Sequence, residues 1–338
     1  MSHEVSTPVM LTGDRPTGAL HLGHYIGSLK NRVSMQSLHG ERYIMIADNQ
    51  AFTDNMGNIG KVTQAIPELI ADYIGVGIDP EKTTIFLQSA VPELVELTML
   101  YMNVTTVSRL ERNPTVRDEI KHRQFERDIP AGFLCYPVAQ AADITGLKAT
   151  VVPVGGDQLP MIEIALETVK RINRLAGKEV LPKPQAMLSS VQRLAGIDGK
   201  AKASKSLNNA IFLSDDEKTV SAKVMQMFTD PNHLKVTDPG QVEGNIVFEY
   251  LDAFHADKDE IEALKDHYRA GGLGDDKIKK LLISTLNDLI QPIKEKRDHA
   301  FADKDRLFDI LRDGSAKARV AVGQTLNEVK DGLGLFRL

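Results

Sequence analysis

The residues best suited to chemistry form two short groups about 180 residues apart in the sequence. The first group follows a predicted strand and opens a predicted helix: Thr12-Gly13-Asp14-Arg15-Pro16-Thr17-Gly18-Ala19-Leu20-His21-Leu22-Gly23-His24. Glycines allow backbone N–H groups to approach a phosphate, and the amino end of a helix adds partial positive charge. Two neutral imidazoles, those of His21 and His24, can donate hydrogen bonds to phosphate oxygens. The pattern therefore predicts a phosphate-binding turn.

Two other interpretations of this first group stay open from the residues alone. The segment could be a capped loop with two surface histidines. Alternatively, His21 and His24 lie three residues apart on one helical face and could bind a metal ion. A third metal ligand is not evident nearby in the sequence. We therefore expect no metal ion held by the protein itself.

The second group, residues 199–206, combines small residues with three lysines, Lys200, Lys202 and Lys205. Lysines on such a segment can close over a polyphosphate and stabilise the charge that develops on a leaving pyrophosphate. Three ammonium groups so close together repel each other unless an anion joins them. The alternative interpretation is an exposed linker, which is common for charged segments.

Composition excludes several classes of protein. Of the 338 residues, 42% are hydrophobic and 26% are charged, which is typical of a folded globular chain. The net charge of −5 means that a nucleic-acid partner would need local basic patches. The single Cys135 excludes a disulfide framework and a cysteine-built zinc site. No apolar run approaches the ~18 residues that span a bilayer, and residues 1–12 do not resemble a signal peptide, so we expect a cytoplasmic protein with no membrane partner.

The first half of the chain alternates apolar runs of strand length with amphipathic helical segments. Strands are predicted at 9–12, 43–47, 84–87 and 151–154, and helices at 22–37, 61–75, 92–103 and 158–175. This alternation predicts an α/β fold, a doubly wound parallel sheet that binds ligands at the carboxyl ends of its strands. After Ser206 the patterns are helical, at 217–229, 246–254, 259–268, 275–301 and 315–333. An all-helical domain is therefore expected after the α/β domain.

We predict a Rossmann-like domain at 1–195, a lysine-rich hinge at 196–206, a helical domain at 207–295, and C-terminal helices at 296–338 that pack back toward the first domain. The segment 109–127 is unusually polar for this half of the chain. It is either a solvated excursion or a contact with a partner subunit or nucleic acid.

Together the two chemical groups resemble the ATP site of class I aminoacyl-tRNA synthetases. His21-Leu22-Gly23-His24 is similar to the family's HIGH motif, and Lys202-Ala203-Ser204-Lys205-Ser206 is similar to its KMSKS motif. Further blocks occur in an order and spacing similar to tryptophanyl-tRNA synthetases: 13–18, 77–80, 85–89, 136–144, 152–158 and 314–318. The chain is identified as a divergent, bacterial-type member of the tryptophanyl and tyrosyl subclass.

The resemblance implies activation of L-tryptophan with MgATP and transfer of the aminoacyl group to the 3′-terminal adenosine of tRNA(Trp). The implied cofactors are ATP and Mg²⁺, and the implied partners are L-tryptophan, tRNA(Trp) and a second copy of the chain in a homodimer. The implied catalytic residues are His21, His24, Lys202, Ser204 and Lys205. The implied ATP site comprises Gly13, Arg15, Thr17, His21, Gly23, His24, Gly155, Asp157, Lys202, Ser204 and Lys205. The implied tryptophan pocket comprises Leu11, Gln50, Tyr136, Gln140, Asp143, Val152, Val154 and Gln158.

The amino-acid specificity follows from two of these positions. Asp143 stands where tryptophanyl enzymes accept the indole N–H, and Leu11 stands where tyrosyl enzymes place a tyrosine for the phenol oxygen. A buried acceptor discriminates strongly, because a ligand without the donor leaves that acceptor unpaired. We therefore expect tryptophan rather than tyrosine.

Three positions depart from the family's pattern. Ala203 replaces the methionine of KMSKS, Gln140 replaces an apolar residue of the pocket, and Gln50 stands where a histidine is common. A tyrosyl-tRNA synthetase and a non-catalytic regulatory paralogue that binds tryptophan and nucleotide therefore remain alternatives. A cytidylyltransferase-like enzyme shares the histidine turn but does not account for the lysine segment.

By the same resemblance, the helical domain reads the anticodon of the tRNA. Its basic clusters, Lys277/Lys279/Lys280 and Lys294/Lys296/Arg297, are candidates for phosphate contacts or else solvated helix faces. The segment 109–127 is the candidate for contact with the acceptor stem or the partner subunit.

Overall fold

The computed structural model describes residues 7–123, 125, 128–188, 194–205 and 207–336. Gln124, Glu126 and Arg127 of the polar segment and Ser206 of the lysine segment lie outside these residues. The strands are β1 (Val9–Asp14), β2 (Glu41–Ile46), β3 (Thr84–Leu87), β4 (Val151–Val154) and β5 (Gln185–Leu188). The helices are α1 (Leu22–His24), α2 (Lys30–Met35), α3 (Asp48–Asn55), α4 (Ile59–Val76), α5 (Glu93–Met102), α6 (Val107–Glu111), α7 (Pro114–Arg123), α8 (Ala131–Gly146), α9 (Leu159–Ala176), α10 (Glu217–Met225), α11 (Ile246–Phe254), α12 (Lys258–Ala270), α13 (Asp275–Ala302) and α14 (Lys304–Gly332).

The five strands form one parallel sheet in the order β3-β2-β1-β4-β5. This confirms the predicted doubly wound α/β fold, and the strand order reverses direction between β1 and β4, where such sheets bind ligands. The sequence did not predict β5. None of its residues, 185–188, is fully buried at the edge of the sheet, so it lacks the apolar run that identifies a central strand.

The sheet separates two apolar layers, as the alternation of side chains along β2 shows. Ile44 and Ile46 pack into one core with α4, and Tyr43 and Met45 pack into another with α8 and α9. The first core continues into the helical half, where Val247 of α11 joins it. The α/β half and the helical half of the chain therefore share one hydrophobic core.

The helix after β1 is not a regular α-helix throughout. A single helix was predicted over 22–37, whereas a π-helical turn at Tyr25–Leu29 joins α1 to α2. Such turns are rare and occur preferentially at functional sites. Helix α14 also begins at Lys304, eleven residues before the predicted start at 315. Among the described residues, no helix is both long enough and apolar enough to cross a bilayer.

A buried ion pair joins α4 to α13. The fully buried Asp72 accepts a hydrogen bond from Arg297 Nε at 2.5 Å, and its second oxygen accepts from the backbone N–H of Leu20 at 2.8 Å. One turn further along α4, Gly75 allows close approach, because a Cβ there would lie 2.9 Å from the carbonyl oxygen of Ile293. Burial raises the pKa of Asp72, and Arg297 opposes that shift. Asp72 thus connects α4, α13 and the loop before His21.

Helix α14 covers the outer edge of β3. Ser315 Oγ accepts a hydrogen bond from the backbone N–H of Leu87 at 3.0 Å, which pairs a donor on an edge strand. The contact requires a glycine beside it, because a Cβ at Gly314 would lie 1.9 Å from the carbonyl oxygen of Ile85. The C-terminal helix is therefore fitted to the sheet at one defined point.

We predict that Gly314→Ala destabilises the protein, whereas Gly323→Ala on the same helix does not. The new methyl group at 314 collides with the backbone of β3, which costs about 1–3 kcal/mol. At Gly323 a Cβ meets no atom within 4 Å, and replacing glycine within a helix gains about 0.5–1 kcal/mol. Urea unfolding followed by circular dichroism measures both variants. Equal stabilities of the two variants would contradict the packing described for α14.

Candidate active site

A cavity of about 340 Å³ lies at the carboxyl ends of β1 and β4. Its walls come from β1 and the following turn, from α3 and α8, and from β4 and the following turn. The lining residues are Leu11, Thr12, Gly13, Asp14, Arg15, Met45, Ala47, Gln50, Thr53, Glu119, Phe133, Tyr136, Gln140, Asp143, Ile144, Val152, Pro153, Val154, Gly155 and Gln158. The cavity therefore occupies the position in the sheet at which doubly wound folds bind their ligands.

All eight residues predicted for the amino-acid pocket lie on this wall: Leu11, Gln50, Tyr136, Gln140, Asp143, Val152, Val154 and Gln158. They are spread over almost 150 positions of the sequence, from Leu11 to Gln158, and the parallel sheet gathers them at one edge. The wall also includes Met45, Glu119 and Phe133, which the sequence analysis did not single out. Of β2 only Met45 lines the cavity, whereas three consecutive residues of β4, Val152, Pro153 and Val154, line it.

Asp143 is the buried carboxylate of the cavity, with 2% of its surface exposed. Gln88 Nε2 donates to both of its oxygens, at 3.0 and 2.9 Å. Burial raises the pKa of Asp143 and the hydrogen bond from Gln88 lowers it, so that the pKa lies at about 7. The carboxyl group is therefore placed to accept a hydrogen bond from a ligand in the cavity.

Two buried acceptors on the same wall have no hydrogen-bond partner among the described residues. They are Gln140 Oε1 and Thr12 Oγ1. An unpaired polar atom in a protein interior costs free energy unless a ligand or water satisfies it. With Asp143, these atoms make the cavity a site that favours ligands with N–H or O–H donors.

The turn after β1 is shaped by close backbone contacts and one ion pair. A Cβ at Gly13 would lie 2.8 Å from the carbonyl oxygen of Met45, so only glycine fits there without displacement. Asp14 accepts hydrogen bonds from Arg32 Nη1 at 2.5 Å and from the Tyr73 hydroxyl at 2.6 Å. Burial alone would raise the pKa of Asp14, but these partners lower it to about 2. This fixed carboxylate holds the turn against the helix that follows.

The histidine pair begins the first helix, with ring centroids 3.9 Å apart. His21 Nδ1 accepts from the backbone N–H of Gly23 at 3.1 Å, and His24 Nδ1 accepts from the N–H of His21 at 3.3 Å. A neutral imidazole that accepts at Nδ1 carries its proton on Nε2. The pKa of His21 is lowered to about 3 and that of His24 to about 4. Burial is the largest cause for both rings, and the charge of Lys205 lowers both values further. Both rings are therefore neutral donors at pH 7.

The lysine segment lies against this turn. Lys205 Nζ donates to the carbonyl oxygen of Gly18 at 2.6 Å, and burial lowers its pKa. The buried Ala203 faces Gly23, with 3.9 Å between its Cβ and a Cβ built on that glycine. Lys202 is exposed and pairs in a short antiparallel bridge with Ala195. The tertiary structure thus brings the two chemical groups of the sequence side by side.

Asn209 organises the lysine segment, and the sequence analysis did not identify it. Its buried side chain accepts from the N–H of Ser204 at 2.8 Å and donates to the carbonyl oxygen of Lys202 at 3.3 Å and to Asp198 at 3.1 Å. The next residues pair with the histidine turn, because the N–H of Leu22 donates to the carbonyl oxygen of Ile211 at 3.0 Å. A buried asparagine just after a lysine-rich loop is the one local signal that could have indicated this role.

Gly155, Asp157 and Thr17 are also among the predicted residues. Gly155 lies on the cavity wall. Asp157 follows it in a 3₁₀ turn, Gly156–Gln158, and its backbone oxygen accepts a hydrogen bond from Thr115 Oγ1 at 2.9 Å. Thr17 donates its N–H to the carbonyl oxygen of Arg15 at 2.8 Å. Within the part of the chain that the structure describes, no three His, Cys, Asp or Glu side chains form a group that could hold a metal ion.

The polar segment 109–127 contains two short helices, α6 and α7, as far as the structure describes it. Arg109 forms ion pairs with Glu167 at 2.9 Å and Glu163 at 3.7 Å, both on α9. Glu119 reaches the cavity wall. Part of this segment therefore packs on the α/β half rather than extending into solvent.

Comparisons with known proteins agree on one family. A family model of tRNA synthetases class I (W and Y) matches residues 5–291. The chain is 56% identical to a tryptophan–tRNA ligase of Clostridium longisporum over 97% of each chain. It is 51% identical to a tryptophan–tRNA ligase of Streptococcus agalactiae, covering 98% of this chain and 99% of that one. The tryptophanyl-tRNA synthetase of Campylobacter jejuni, solved as a complex with ADP and tryptophan, is similar with a TM-score of 0.85 at 30% identity, covering 97% of this chain and all of that one.

We predict that His21 and His24 stay neutral well below pH 6 in the folded protein. Both pKa values are lowered from 6.5, to about 3 and about 4, so the unfolded chain binds more protons as pH falls below about 6.5. The free energy of unfolding that these two histidines contribute is present above that pH and is lost as pH falls towards 4. Long-range ¹H–¹⁵N spectra report the ring tautomers directly, and His21→Asn and His24→Asn assign the signals. Protonation of either ring near pH 6.5 would contradict the burial described, and the urea-unfolded chain is the control.

Proposed function

The chain belongs to the class I tRNA synthetases of the W and Y family, and from that premise we propose how its residues carry the reaction. It is a tryptophan–tRNA ligase. The enzyme activates L-tryptophan with ATP to form tryptophanyl-adenylate and pyrophosphate, and it then transfers the tryptophanyl group to the 3′-terminal adenosine of tRNA(Trp). What remains to be assigned is the role of each side chain around the cavity.

The observation that carries the assignment is the convergence of eight pocket residues on one cavity beside the histidine and lysine groups. Asp143 would accept the indole N–H, since it is a buried acceptor on the cavity wall. Val152 and Val154 of β4 would contact the ring, and Gln158 would contact the polar end of the amino acid. Leu11 offers no hydrogen-bonding group to a phenol, which supports tryptophan over tyrosine as the substrate.

The reaction needs no protein nucleophile, because the tryptophan carboxylate itself attacks the α-phosphorus and pyrophosphate leaves. The protein acts by positioning and by stabilising charge on the phosphates. The Nε2–H groups of His21 and His24 would donate to phosphate oxygens, as neutral donors that require no proton transfer. Gly13, Arg15, Thr17 and Gly23 would shape the remainder of this phosphate site.

Lys202, Ser204 and Lys205 would bind the β- and γ-phosphates and stabilise the charge on the leaving pyrophosphate. Lys205 Nζ lies at the phosphate turn, on the carbonyl oxygen of Gly18, and is thus prepositioned for an anion there. The exposed Lys202 is free to move onto the phosphates, since only its backbone is held. Gly155 and Asp157 would hold the nucleotide on the β4 side of the cavity.

We propose that Mg²⁺ enters with ATP as part of the substrate, where it neutralises phosphate charge. Asp14 is a poor ligand for it, because both of its oxygens already accept from Arg32, at 2.5 and 3.3 Å. The phosphate oxygens themselves, with the hydroxyl of Ser204 nearby in the lysine segment, are the donors suited to a hard cation. The residues of this chain therefore bind the nucleotide and leave the ion to its phosphates.

The other partners are proposals as well. Residues 207–295 would read the anticodon, 109–127 would contact the acceptor stem or a partner subunit, and 296–338 would return to the catalytic domain 1–195 across the hinge 196–206. A homodimer in the cytoplasm is the form we expect. One earlier prediction is wrong: Arg297 is not a phosphate contact, because it is buried and paired with Asp72. Lys279 is also engaged, donating to the carbonyl oxygens of Met225 and Met227 at 2.9 and 3.0 Å.

We predict that Lys205→Met lowers the kcat of tryptophan-dependent ATP–pyrophosphate exchange by about 100-fold or more, since it removes a charged donor from the phosphates. Lys202→Met should lower it too, with little change in the KM for tryptophan. Lys200→Met is the matched control, because Lys200 is exposed on the same segment and should leave kcat within about twofold. Equal losses in all three variants would show a general effect of charge and contradict the assigned roles.

The amino-acid specificity is tested in the same assay with all twenty amino acids and no tRNA. We expect exchange with tryptophan alone. We also expect Asp143→Asn to reduce kcat/KM for tryptophan by about 10-fold or more, because a charged acceptor becomes a neutral one. Exchange with tyrosine would overturn the pocket assignment. Binding of tryptophan without any exchange would instead indicate the regulatory paralogue.

A further inference from the structure

Gln88 lies directly behind Asp143, outside the wall of the main cavity. It follows β3 in the first position of a short 3₁₀ turn, and it is 5% exposed. A second cavity of about 190 Å³ adjoins the first, and Gln88 lines only this second one, whereas Asp143 lines both. Gln88 is therefore placed to act on a ligand in the main cavity through Asp143.

The orientation of the Gln88 amide is fixed by its neighbours. The backbone N–H of Gln50, at the start of α3, donates to Gln88 Oε1 at 3.1 Å. The NH₂ group must therefore face the other way, where Asp143 Oδ1 and Oδ2 lie 3.0 and 2.9 Å from Nε2. The adjacent Ser89 is held as well, because its N–H donates to Asp48 Oδ1 at 3.0 Å. The donor to Asp143 is thus rigid before any ligand arrives.

Within the described part of the chain, Gln88 is the side chain that hydrogen-bonds to Asp143. Other titratable or charged groups lie around the two cavities or on the helices packed against α8, and none of them is among the causes of the pKa shift of Asp143: Asp14, Arg15, Asp48, Glu93, Glu96, Tyr101, Arg109, Glu111, Glu119, Cys135, Tyr136, Glu163, Glu167, Lys317, Arg319, Glu328 and Lys330. For example, Asp14 pairs with Arg32, Glu93 with Arg319, and Tyr101 with Thr145. Asp143 depends on a neutral amide rather than on a cation.

We propose that Gln88 is a positioning residue for amino-acid recognition, which holds Asp143 as an oriented carboxylate so that it accepts the indole N–H. The proposal rests on the proposed function and deepens it, since Gln88 itself touches no substrate. A carboxylate in an apolar site is costly without a donor, and removing the donor favours uptake of a proton. A protonated carboxyl group can donate as well as accept, and it then no longer selects for a ligand N–H.

The test replaces Gln88 by methionine, which keeps the length of the side chain and removes the amide. Two substrates are compared in ATP–pyrophosphate exchange: tryptophan and β-(3-benzothienyl)alanine, in which sulfur replaces the indole N–H. Gln88→Met should raise the KM for tryptophan by about 10- to 100-fold, the range for losing a hydrogen bond to a charged group. The KM for the benzothienyl analogue and for ATP should change less than about threefold, as should kcat.

The pH profile supplies a readout that a purely structural role would not move. Burial raises the pKa of Asp143 to about 7 and Gln88 lowers it, so loss of Gln88 raises it further. The KM for tryptophan should rise as the pH falls. In Gln88→Met the midpoint of that rise should lie at least about one pH unit higher than in the wild type. The profile for the benzothienyl analogue should not shift.

A double-mutant cycle and a second variant complete the test. In the Asp143→Asn background, Gln88→Met should have little further effect on the KM for tryptophan, because the carboxylate through which it acts is gone. Gln88→Glu, close in shape, serves if the methionine variant does not fold. It should also weaken tryptophan binding, because two adjacent buried carboxyl groups retain one proton between them and Asp143 is then no longer a fully ionised acceptor.

The outcomes separate this inference from the proposed function. If the wild type shows no exchange with tryptophan, the proposed function fails. If the wild type is active and Gln88→Met is unchanged, the inference fails by itself. If Gln88→Met raises the KM for tryptophan and the KM for the benzothienyl analogue equally, Gln88 only supports the shape of the pocket and the inference is overturned.

Discussion

The buried carboxylate of Asp72 connects α4 and the helical half of the chain to the loop before the histidine pair. It lies inside the core, where an uncompensated charge is costly, and it is satisfied by Arg297 of α13 and by the N–H of Leu20. The residue that follows Leu20 is His21, the first of the histidine pair. One ion pair therefore ties the helical half of the chain to the loop that leads into the histidine turn. Removing either partner would leave the other buried without compensation.

The two motif groups are joined by backbone as well as by side chains. The strand-like residues after the lysine segment pair with the histidine turn, and Asn209 fixes that segment through three hydrogen bonds. The arrangement explains how Ala203 fits: the small side chain is buried against Gly23, where the two segments meet. Lys205 is thus held at the histidine turn, and its charge is available there without a large rearrangement of the backbone.

The cavity and the histidine turn use opposite chemistry. The histidine turn and the lysine segment beside it offer donors, two neutral imidazoles and Lys205, which suit an anionic polyphosphate. The cavity wall offers acceptors, Asp143 and the unpaired Gln140 Oε1, which suit a ring N–H. The parallel sheet makes this separation possible, because neighbouring strands deliver different side chains to one edge. A ligand with a phosphate at one end and an N–H ring at the other fits this polarity.

The sequence by itself determined the fold class, four of the five strands to within two residues at each end, and the two motif groups, because these depend on local periodicity and on residues near each other in the chain. Through the resemblance of its motifs to a known family, it also named eight residues that the structure places on one cavity wall. It missed β5, which has no buried apolar run, and it missed Gln88 and Asn209, whose roles depend on burial. It misassigned Arg297, which looked like a surface charge in a basic helix and is buried against Asp72, 225 residues away. Only the tertiary structure decides such cases, because burial and pairing of polar groups are set by contacts between segments that are distant in the chain.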